Sequence, residues 1–132
     1  MKNDGELSVP GSVVVIVDDD PAVRNSLKFS LEVEGFLVRA YGSGAELLNA
    51  RDLPICGCFV VDQKMPGMTG LDLIAKLRAQ HISVPAILMT SHPNAALTAS
   101  AARADIPIVE KPLLGNALMD GIRAACAHKS QP

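Results

Sequence analysis

The chain contains short runs of apolar residues separated by polar stretches. Four runs are strong, at residues 13–17, 56–61, 86–89 and 106–109, and a weaker fifth lies at residues 36–40. Apart from the fifth, they are nearly continuous rather than alternating, which is typical of strands covered on both faces of a parallel sheet. The pattern therefore predicts five strands, four of them buried.

Helical signals fall between the predicted strands. Pro21 suits the first position of a helix with Asp19 or Asp20 as its cap, and Gly35 suits the end of that helix. Its inward face is marked by apolar residues four apart, namely Val23, Leu27 and Leu31. This segment therefore predicts a capped amphipathic helix after the first strand.

Four further helices are predicted from capping, composition and spacing. Ser43 with Glu46, and Thr69 with Asp72, have the spacing of a capping box. Residues 94–103 are rich in Ala, a strong helix former. The last helix is marked by Leu114, Leu118 and Ile122.

Alternation of five strands with five helices predicts an open α/β fold with a parallel sheet. Short loops and right-handed crossovers favour a doubly wound order with helices on both faces. Pro107 has no backbone N–H, so it places the fifth strand at a sheet edge. The 132 residues suit one domain at residues 13–128, with a flexible lead-in at 1–12 and a tail at 129–132.

Composition narrows the function classes. The chain is 48% hydrophobic but has only three Phe, one Tyr and no Trp, which disfavours a protein that stacks single-stranded bases on aromatic rings. Its 12 basic and 14 acidic residues form no long run of one sign, so we expect no direct contact with nucleic acid or membrane. No stretch approaches the ~18 apolar residues of a membrane span, and residues 1–12 lack a signal-peptide core.

The three cysteines favour a reducing compartment. Cys56 and Cys58 lie two apart on a predicted strand, so they face the same side of the sheet. A structural zinc site needs about four ligands, and no CxxC or His pair completes the set. We interpret both cysteines as small buried residues and expect a cytoplasmic location.

Polar residues follow the predicted strands at the edge where ligands of such sheets bind. Three carboxylates follow the first strand and one follows the third, whereas two hydroxyls follow the fourth and an acid, a lysine and a proline follow the fifth. These residues are Asp18, Asp19, Asp20, Asp62, Thr90, Ser91, Glu110, Lys111 and Pro112.

Carboxylates that converge on one cleft repel each other. At an effective dielectric constant near 20, two charges ~4 Å apart cost about 4 kcal/mol, so a cation must neutralise them unless one is protonated. Oxygen ligands with room for water suit Mg²⁺. Together with Lys111 and a hydroxyl donor, such a site forms an electrostatic cradle for a phosphoryl group, and Asp62 is the candidate nucleophile. Asp20 equally suits a helix cap.

With these residues in this order, the chain resembles the receiver domains of two-component response regulators. The matching stretches read VIVDDDP at residues 15–21, followed by Arg24, then VDQKMPGMTG at 61–70, LMT at 88–90 and EKP at 110–112. Each stretch alone is weakly specific, but four in this order and at these separations are strongly specific. The resemblance covers nearly the whole chain.

The resemblance implies a flavodoxin-like sheet with strand order 2-1-3-4-5 and a magnesium-dependent phosphoacceptor. Asp62 would accept the phosphoryl group from the phosphohistidine of a sensor histidine kinase or a phosphotransfer protein. Asp19, Asp62 and the backbone carbonyl of Lys64 would bind Mg²⁺ directly, and Asp18 would act through water. Thr90 would hydrogen-bond one phosphoryl oxygen.

The resemblance also implies how the signal ends and where it goes. Lys111 would pair with another phosphoryl oxygen, and its bond to Pro112 is commonly cis in relatives. Lys64 and His92 would tune the lifetime of the phosphoryl group in a protein that is no dedicated enzyme but catalyses its own dephosphorylation. The downstream protein would bind the last two helices and the fifth strand, a surface that is also compatible with a homodimer.

This chain departs from the family pattern in its output half. Relatives usually carry Tyr or Phe three residues before the lysine, where this chain has Ile108. The usual glycine before the fifth strand is missing, with Ala104 and Asp105 nearby. We therefore expect intact phosphoryl chemistry and a different relay of the signal.

Two other functions stay open from the residues alone. A phosphatase of the haloacid-dehalogenase type would use Asp18 and Asp20 as its Asp-x-Asp motif, but Asp62 would then have no role. An unphosphorylated interaction module would keep the fold without the chemistry, as Ile108 and Pro107 suggest. We expect either a single-domain regulator or a receiver excised from a longer chain.

Overall fold

A computed structural model describes residues 13–50, 57–113 and 115–129. The predicted lead-in at residues 1–12 and the tail from residue 130 lie outside the described residues, as do Cys56 and Leu114. Within the described ranges, no helix is both long enough and apolar enough to span a membrane.

Five strands form one sheet in the order β2-β1-β3-β4-β5. They are β1 Val13–Val17, β2 Leu37–Tyr41, β3 Cys58–Asp62, β4 Ala86–Thr90 and β5 Ile108–Glu110. Every neighbouring pair is parallel, so the carboxyl ends of all five strands lie at one edge of the sheet. The predicted strand order and the edge position of β5 are confirmed.

Helices alternate with the strands and cover both faces of the sheet. They are α1 Pro21–Val33, α2 Gly44–Leu48, α3 Gly70–Ala79, α4 Ala95–Arg103 and α5 Ala117–Lys129. Because successive strand residues point to opposite faces, the buried residues of β1, β3 and β4 divide into two apolar clusters. One cluster includes residues of α2, α3 and α4, and the other includes residues of α1 and α5.

The predicted capping boxes are observed to different degrees. Thr69 and Asp72 form the full reciprocal box at the start of α3. At α2, the Ser43 Oγ accepts a hydrogen bond from the Glu46 N–H at 3.1 Å, but Glu46 accepts from the N–H of Gly42 rather than of Ser43. The start of α2 is therefore capped by Ser43 as predicted, but the Glu46 carboxylate accepts from the residue before the cap rather than from the cap itself.

Three helices end with a residue in the left-handed region, followed by an N–H that donates to the carbonyl five residues earlier. The left-handed residues are Gly35 at φ 100°, His81 at φ 67° and Asp105 at φ 61°. The donors Phe36, Ile82 and Ile106 bind Leu31, Leu77 and Ala101 respectively. Asp105 thus occupies the place of the glycine expected before the fifth strand, since Asp and His tolerate this conformation better than most residues.

The strand β5 begins two residues later than predicted. The N–H of Ile106 donates to the carbonyl of Ala101 at 2.8 Å, and its side chain is buried. Ile106 therefore closes α4 and fills the core, and its apolar character reflects burial rather than a strand. The prediction that the strand includes Ile106 and Pro107 is wrong for this reason.

Helix α3 begins in direct contact with the end of β3. The N–H of Gly70 donates to the backbone carbonyl of Gln63 at 3.0 Å. A Cβ at position 70 would lie 2.6 Å from the backbone oxygen of Asp62 and 2.7 Å from Cδ1 of Leu88. The helix can approach the strand this closely because residue 70 has no side chain.

We predict that Gly70→Ala destabilises the protein by about 1–3 kcal/mol, because the added methyl group displaces backbone at the end of β3. The free energy of unfolding in urea measures this change. The matched control is Gly121→Ala in α5, where the methyl group would meet Ile87 Cδ1 at 3.3 Å and helix propensity improves by about 1 kcal/mol. Equal stabilities for the two variants would contradict the prediction.

Candidate functional site

The carboxyl ends of the strands surround a cleft of about 700 Å³. Residues from the ends of β1, β3 and β4 and from the loop after β5 line it together. They include Asp18, Asp19, Asp20, Asp62, Lys64, Thr90, Ser91, His92 and Lys111. The strand ends that the sequence singles out therefore do converge on one cleft.

Asp18 is the most enclosed acid of the cleft, with 0% of its surface exposed. Its Oδ1 accepts from the N–H of Asp20 at 2.9 Å, and its Oδ2 accepts from Nζ of Lys111 at 3.1 Å. Its own N–H donates to the carbonyl of Tyr41 at 3.2 Å. Asp18 is therefore held on both its backbone and its side chain.

Lys111 joins the two buried carboxylates. Its Nζ lies 3.1 Å from Oδ2 of Asp18 and 3.1 Å from Oδ1 of Asp62. Burial favours the neutral amine, but hydrogen bonds to both carboxylates outweigh burial and raise the pKa of Lys111. The ammonium group is therefore charged at neutral pH and neutralises part of the acidic site. The Lys111–Pro112 peptide bond is cis.

Asp62 is the last residue of β3 and is 6% exposed. Burial, followed by repulsion from Asp18, raises the pKa of Asp62 above its ordinary value of 3.8. The hydrogen bond and the charge of Lys111 act in the opposite direction but do not cancel the increase. The folded protein therefore holds this carboxylate at a cost in stability.

The acidic groups fit a divalent cation. Carboxylate oxygens of Asp18, Asp19 and Asp62 all lie within 4.8 Å of one another. Asp19 is exposed, so its carboxylate faces the open side of the cleft, where water can complete a coordination shell. Hard oxygen donors with room for water are the ligand set that Mg²⁺ takes in proteins.

Thr90 supplies a hydroxyl group at the end of β4 and is 6% exposed. Its Oγ1 accepts from the N–H of His92 at 3.2 Å, which leaves its hydrogen available for donation into the cleft. The N–H of Lys111 donates to the carbonyl of Thr90 at 2.8 Å. This bond ties the loop that carries Lys111 to the end of β4.

Asp20 and Glu110 have no central place in the acidic group. The Oδ1 of Asp20 accepts from the N–H of Ala22 at 2.9 Å and so caps α1. Glu110 pairs with Thr90 in the register of β4 and β5, and it is exposed. Asp20 therefore serves the cap, and the Asp-x-Asp motif needed by the phosphatase alternative is not assembled around a common centre.

Sequence reasoning missed two residues that shape the site. Oε1 of Gln63 accepts from the N–H of Leu71 at 3.0 Å, which anchors the start of α3 beside the end of β3. Nη1 of Arg24 donates to the backbone carbonyl of Asp18 at 2.7 Å. Arg24 stood among the matching residues without a role, and Gln63 had no signal beyond its place next to Asp62.

The same architecture is found in known proteins. The family model for the response regulator receiver domain matches residues 14–123. The chain is 35% identical over 125 residues to the transcriptional regulatory protein FixJ of Azorhizobium caulinodans, a match that covers 93% of this chain and 59% of that protein. It is 34% identical over 122 residues to the C4-dicarboxylate transport transcriptional regulatory protein DctR of Rhodobacter capsulatus, which covers 89% of this chain and 62% of DctR.

A solved structure agrees with these relatives. The crystal structure of FixJ-N aligns with a TM-score of 0.77 at 34% identity and covers 88% of this chain and 94% of that one. The chain belongs to the receiver domain family of response regulators. Such domains are signalling modules of two-component systems rather than dedicated enzymes. This chain spans 59% and 62% of the lengths of the two curated relatives.

We predict that Asp62→Asn raises the thermal midpoint in Mg²⁺-free buffer at neutral pH. The raised pKa of Asp62 means that the folded state disfavours its charge, so the stability present below pH 3.8 is lost as pH rises through the folded pKa. The midpoint should rise by roughly 3–5 °C for each kcal/mol by which the variant relieves the burial and the repulsion of this charge, and the gain should vanish in acid. Asp120→Asn, which neutralises an exposed acid of α5, should give no gain, and an equal gain there would refute the assignment.

Proposed function

We propose that the protein accepts a phosphoryl group on Asp62 from the phosphohistidine of a sensor histidine kinase or a phosphotransfer protein. The observation that carries the proposal is the position of Asp62: its carboxylate lies 3.1 Å from the Lys111 ammonium, beside Asp18 and Asp19, at the open end of the sheet. Membership of the receiver family supports it independently.

The transfer exchanges one bond for another. An ionised Asp62 oxygen attacks phosphorus, the P–N bond to the donor imidazole breaks, and the imidazole leaves with the electron pair of that bond and takes a proton. In its ionised form the carboxylate needs no proton removed before it attacks, and the Lys111 ammonium 3.1 Å away favours that form. The chain's task is therefore to position the acceptor and to balance charge.

The residues that would hold Mg²⁺ are Asp19, Asp62 and the backbone carbonyl of Lys64, with Asp18 acting through water. Bound there, Mg²⁺ would supply positive charge to the oxygens of the transferring group. Asp18 contributes less freely than Asp19, because its two oxygens already accept from Asp20 and Lys111. This difference supports direct binding by Asp19 and indirect binding by Asp18.

Lys111 and Thr90 would hold the transferred group. The Lys111 ammonium, which now bridges Asp18 and Asp62, can donate to a phosphoryl oxygen with little displacement. The Thr90 hydroxyl can donate to a second oxygen while its own oxygen still accepts from His92. Both contacts stabilise the negative charge of the phosphoryl oxygens, which is present only after phosphorylation.

The signal would leave through α4, β5 and α5, and a downstream protein or a second copy of the chain would bind there. Ile108 packs against the cluster that includes Ala101 and Leu88, and it replaces the aromatic residue of many relatives. We infer that the relay uses displacement of the β4–α4 loop rather than rotation of an aromatic ring. Lys64 and His92 line the cleft and would set the rate of autodephosphorylation in a cytoplasmic protein.

We predict that acetyl phosphate and Mg²⁺ add one phosphoryl group to the wild-type protein and none to Asp62→Asn. Intact-mass measurement is the suitable readout, since the chain has no Trp. Omitting Mg²⁺ should abolish the adduct. A folded wild-type protein that neither forms the adduct nor binds beryllofluoride would refute the proposal, and an adduct lost in Asp18→Asn but kept in Asp62→Asn would favour the phosphatase.

We predict that Mg²⁺ raises the thermal midpoint of the wild type. At a Mg²⁺ concentration one hundred times the Kd, binding should stabilise the folded protein by about 2.7 kcal/mol. Asp19→Asn should largely remove the increase because it deletes a direct ligand. Asp20→Asn is the matched control: Asn caps helices as well as Asp, and Asp20 serves the cap. If Asp19→Asn kept the full increase, Asp19 would not be a ligand.

A further inference from the structure

Arg24 connects α1 to the acidic loop after β1. Its Nη1 donates to the backbone carbonyl of Asp18 at 2.7 Å, six residues earlier in the chain. A guanidinium bound to a carbonyl forms a charge-assisted hydrogen bond, which is stronger than one between neutral groups. This bond holds the peptide unit that links Asp18 to Asp19.

Gly42 leaves the space that the guanidinium occupies. A Cβ at position 42 would lie 3.3 Å from Nη1 of Arg24 and 3.5 Å from Oε2 of Glu46. Glu46 in turn accepts from the N–H of Gly42 at 2.9 Å. The guanidinium therefore lies in a slot between the loop after β1 and the start of α2.

Asp19 depends on its backbone for position. Asp18 and Asp62 are held by contacts of their side chains with Lys111. In the described part of the chain, the Asp19 carboxylate makes no hydrogen bond or ion pair. Because the peptide unit is planar, fixing the orientation of the Asp18 carbonyl also fixes the direction in which Asp19 leaves it.

We propose that Arg24 is a positioning residue for the magnesium site: it orients the Asp18–Asp19 peptide so that the Asp19 carboxylate faces Asp62. The inference rests on the proposed magnesium-dependent function. The direction in which Mg²⁺ affinity changes when Arg24 is removed distinguishes positioning from a simple effect of charge. Arg24 carries positive charge near a cation site, so charge alone would make its removal strengthen Mg²⁺ binding, whereas loss of positioning weakens it.

The test compares Mg²⁺ dissociation constants of four proteins at constant ionic strength, measured by NMR titration of the backbone amides near Asp19 and Asp62. They are the wild type, Arg24→Gln, Arg24→Lys and Lys28→Gln. Lys28 is the matched control because it lies on the same helix and carries the same charge, but pairs with Glu32 at 2.7 Å. The thermal midpoint in chelator reports folding separately from metal binding.

We expect Arg24→Gln to raise the Kd about tenfold, the lower end of the roughly 10–100-fold range for loss of a group that orients a metal ligand. Lys28→Gln should leave the Kd within roughly twofold of wild type, since its charge is partly exposed, pairs with Glu32 and does not line the cleft. Arg24→Lys keeps the charge but lacks the planar guanidinium, so its Kd should lie between those of the wild type and Arg24→Gln.

An Arg24→Gln protein that binds Mg²⁺ as tightly as the wild type, or more tightly, overturns the inference. If Arg24→Gln does not fold, Arg24→Lys decides: a raised Kd supports positioning and an unchanged Kd overturns it. A wild-type protein that shows no Mg²⁺ binding would instead contradict the proposed function itself.

Discussion

The Lys111 ammonium group lies 3.1 Å from each of two carboxylates that are almost completely removed from water. Without a cation in this place, Asp18 and Asp62 would repel each other across a poorly solvated gap, and ionisation of both would oppose folding. The cation comes from the far edge of the sheet. Lys111 follows the edge strand β5, and its side chain extends past the end of β4 to reach Asp62 and Asp18. The hydrogen bond from its N–H to the Thr90 carbonyl fixes that reach.

Local pattern was sufficient for much of the fold because most elements carry consistent signals. The strand β1 is a run of β-branched residues followed by three Asp, so its bounds were predicted without error. The strand β5 was misplaced because burial and strand formation give the same apolar signal, and Ile106 is buried while it closes α4. His81 and Asp105 adopt the left-handed conformation usually given to glycine, which no local pattern distinguishes from an ordinary polar residue.

The candidate site divides in the same way. Asp18, Asp62, Thr90 and Lys111 were predictable because parallel strands bring their carboxyl ends to one edge, whatever the details of packing. Gln63 and Arg24 act on backbone groups of other segments. Such contacts form only when the spacing between elements is right to within tenths of an ångström, and a sequence pattern does not contain that spacing.

The contacts around Asp62 differ on its two sides. On one side, the start of α3 is bound to Gln63, the residue after β3: the N–H of Gly70 donates to its backbone carbonyl and the N–H of Leu71 to its side-chain oxygen. On the other side, the loop after β4 is exposed, and the N–H of His92 donates to Oγ1 of Thr90. A displacement of the Asp62 carboxylate would therefore meet hydrogen-bonded backbone towards α3 and an exposed loop towards α4, so we expect the larger movement on the α4 side.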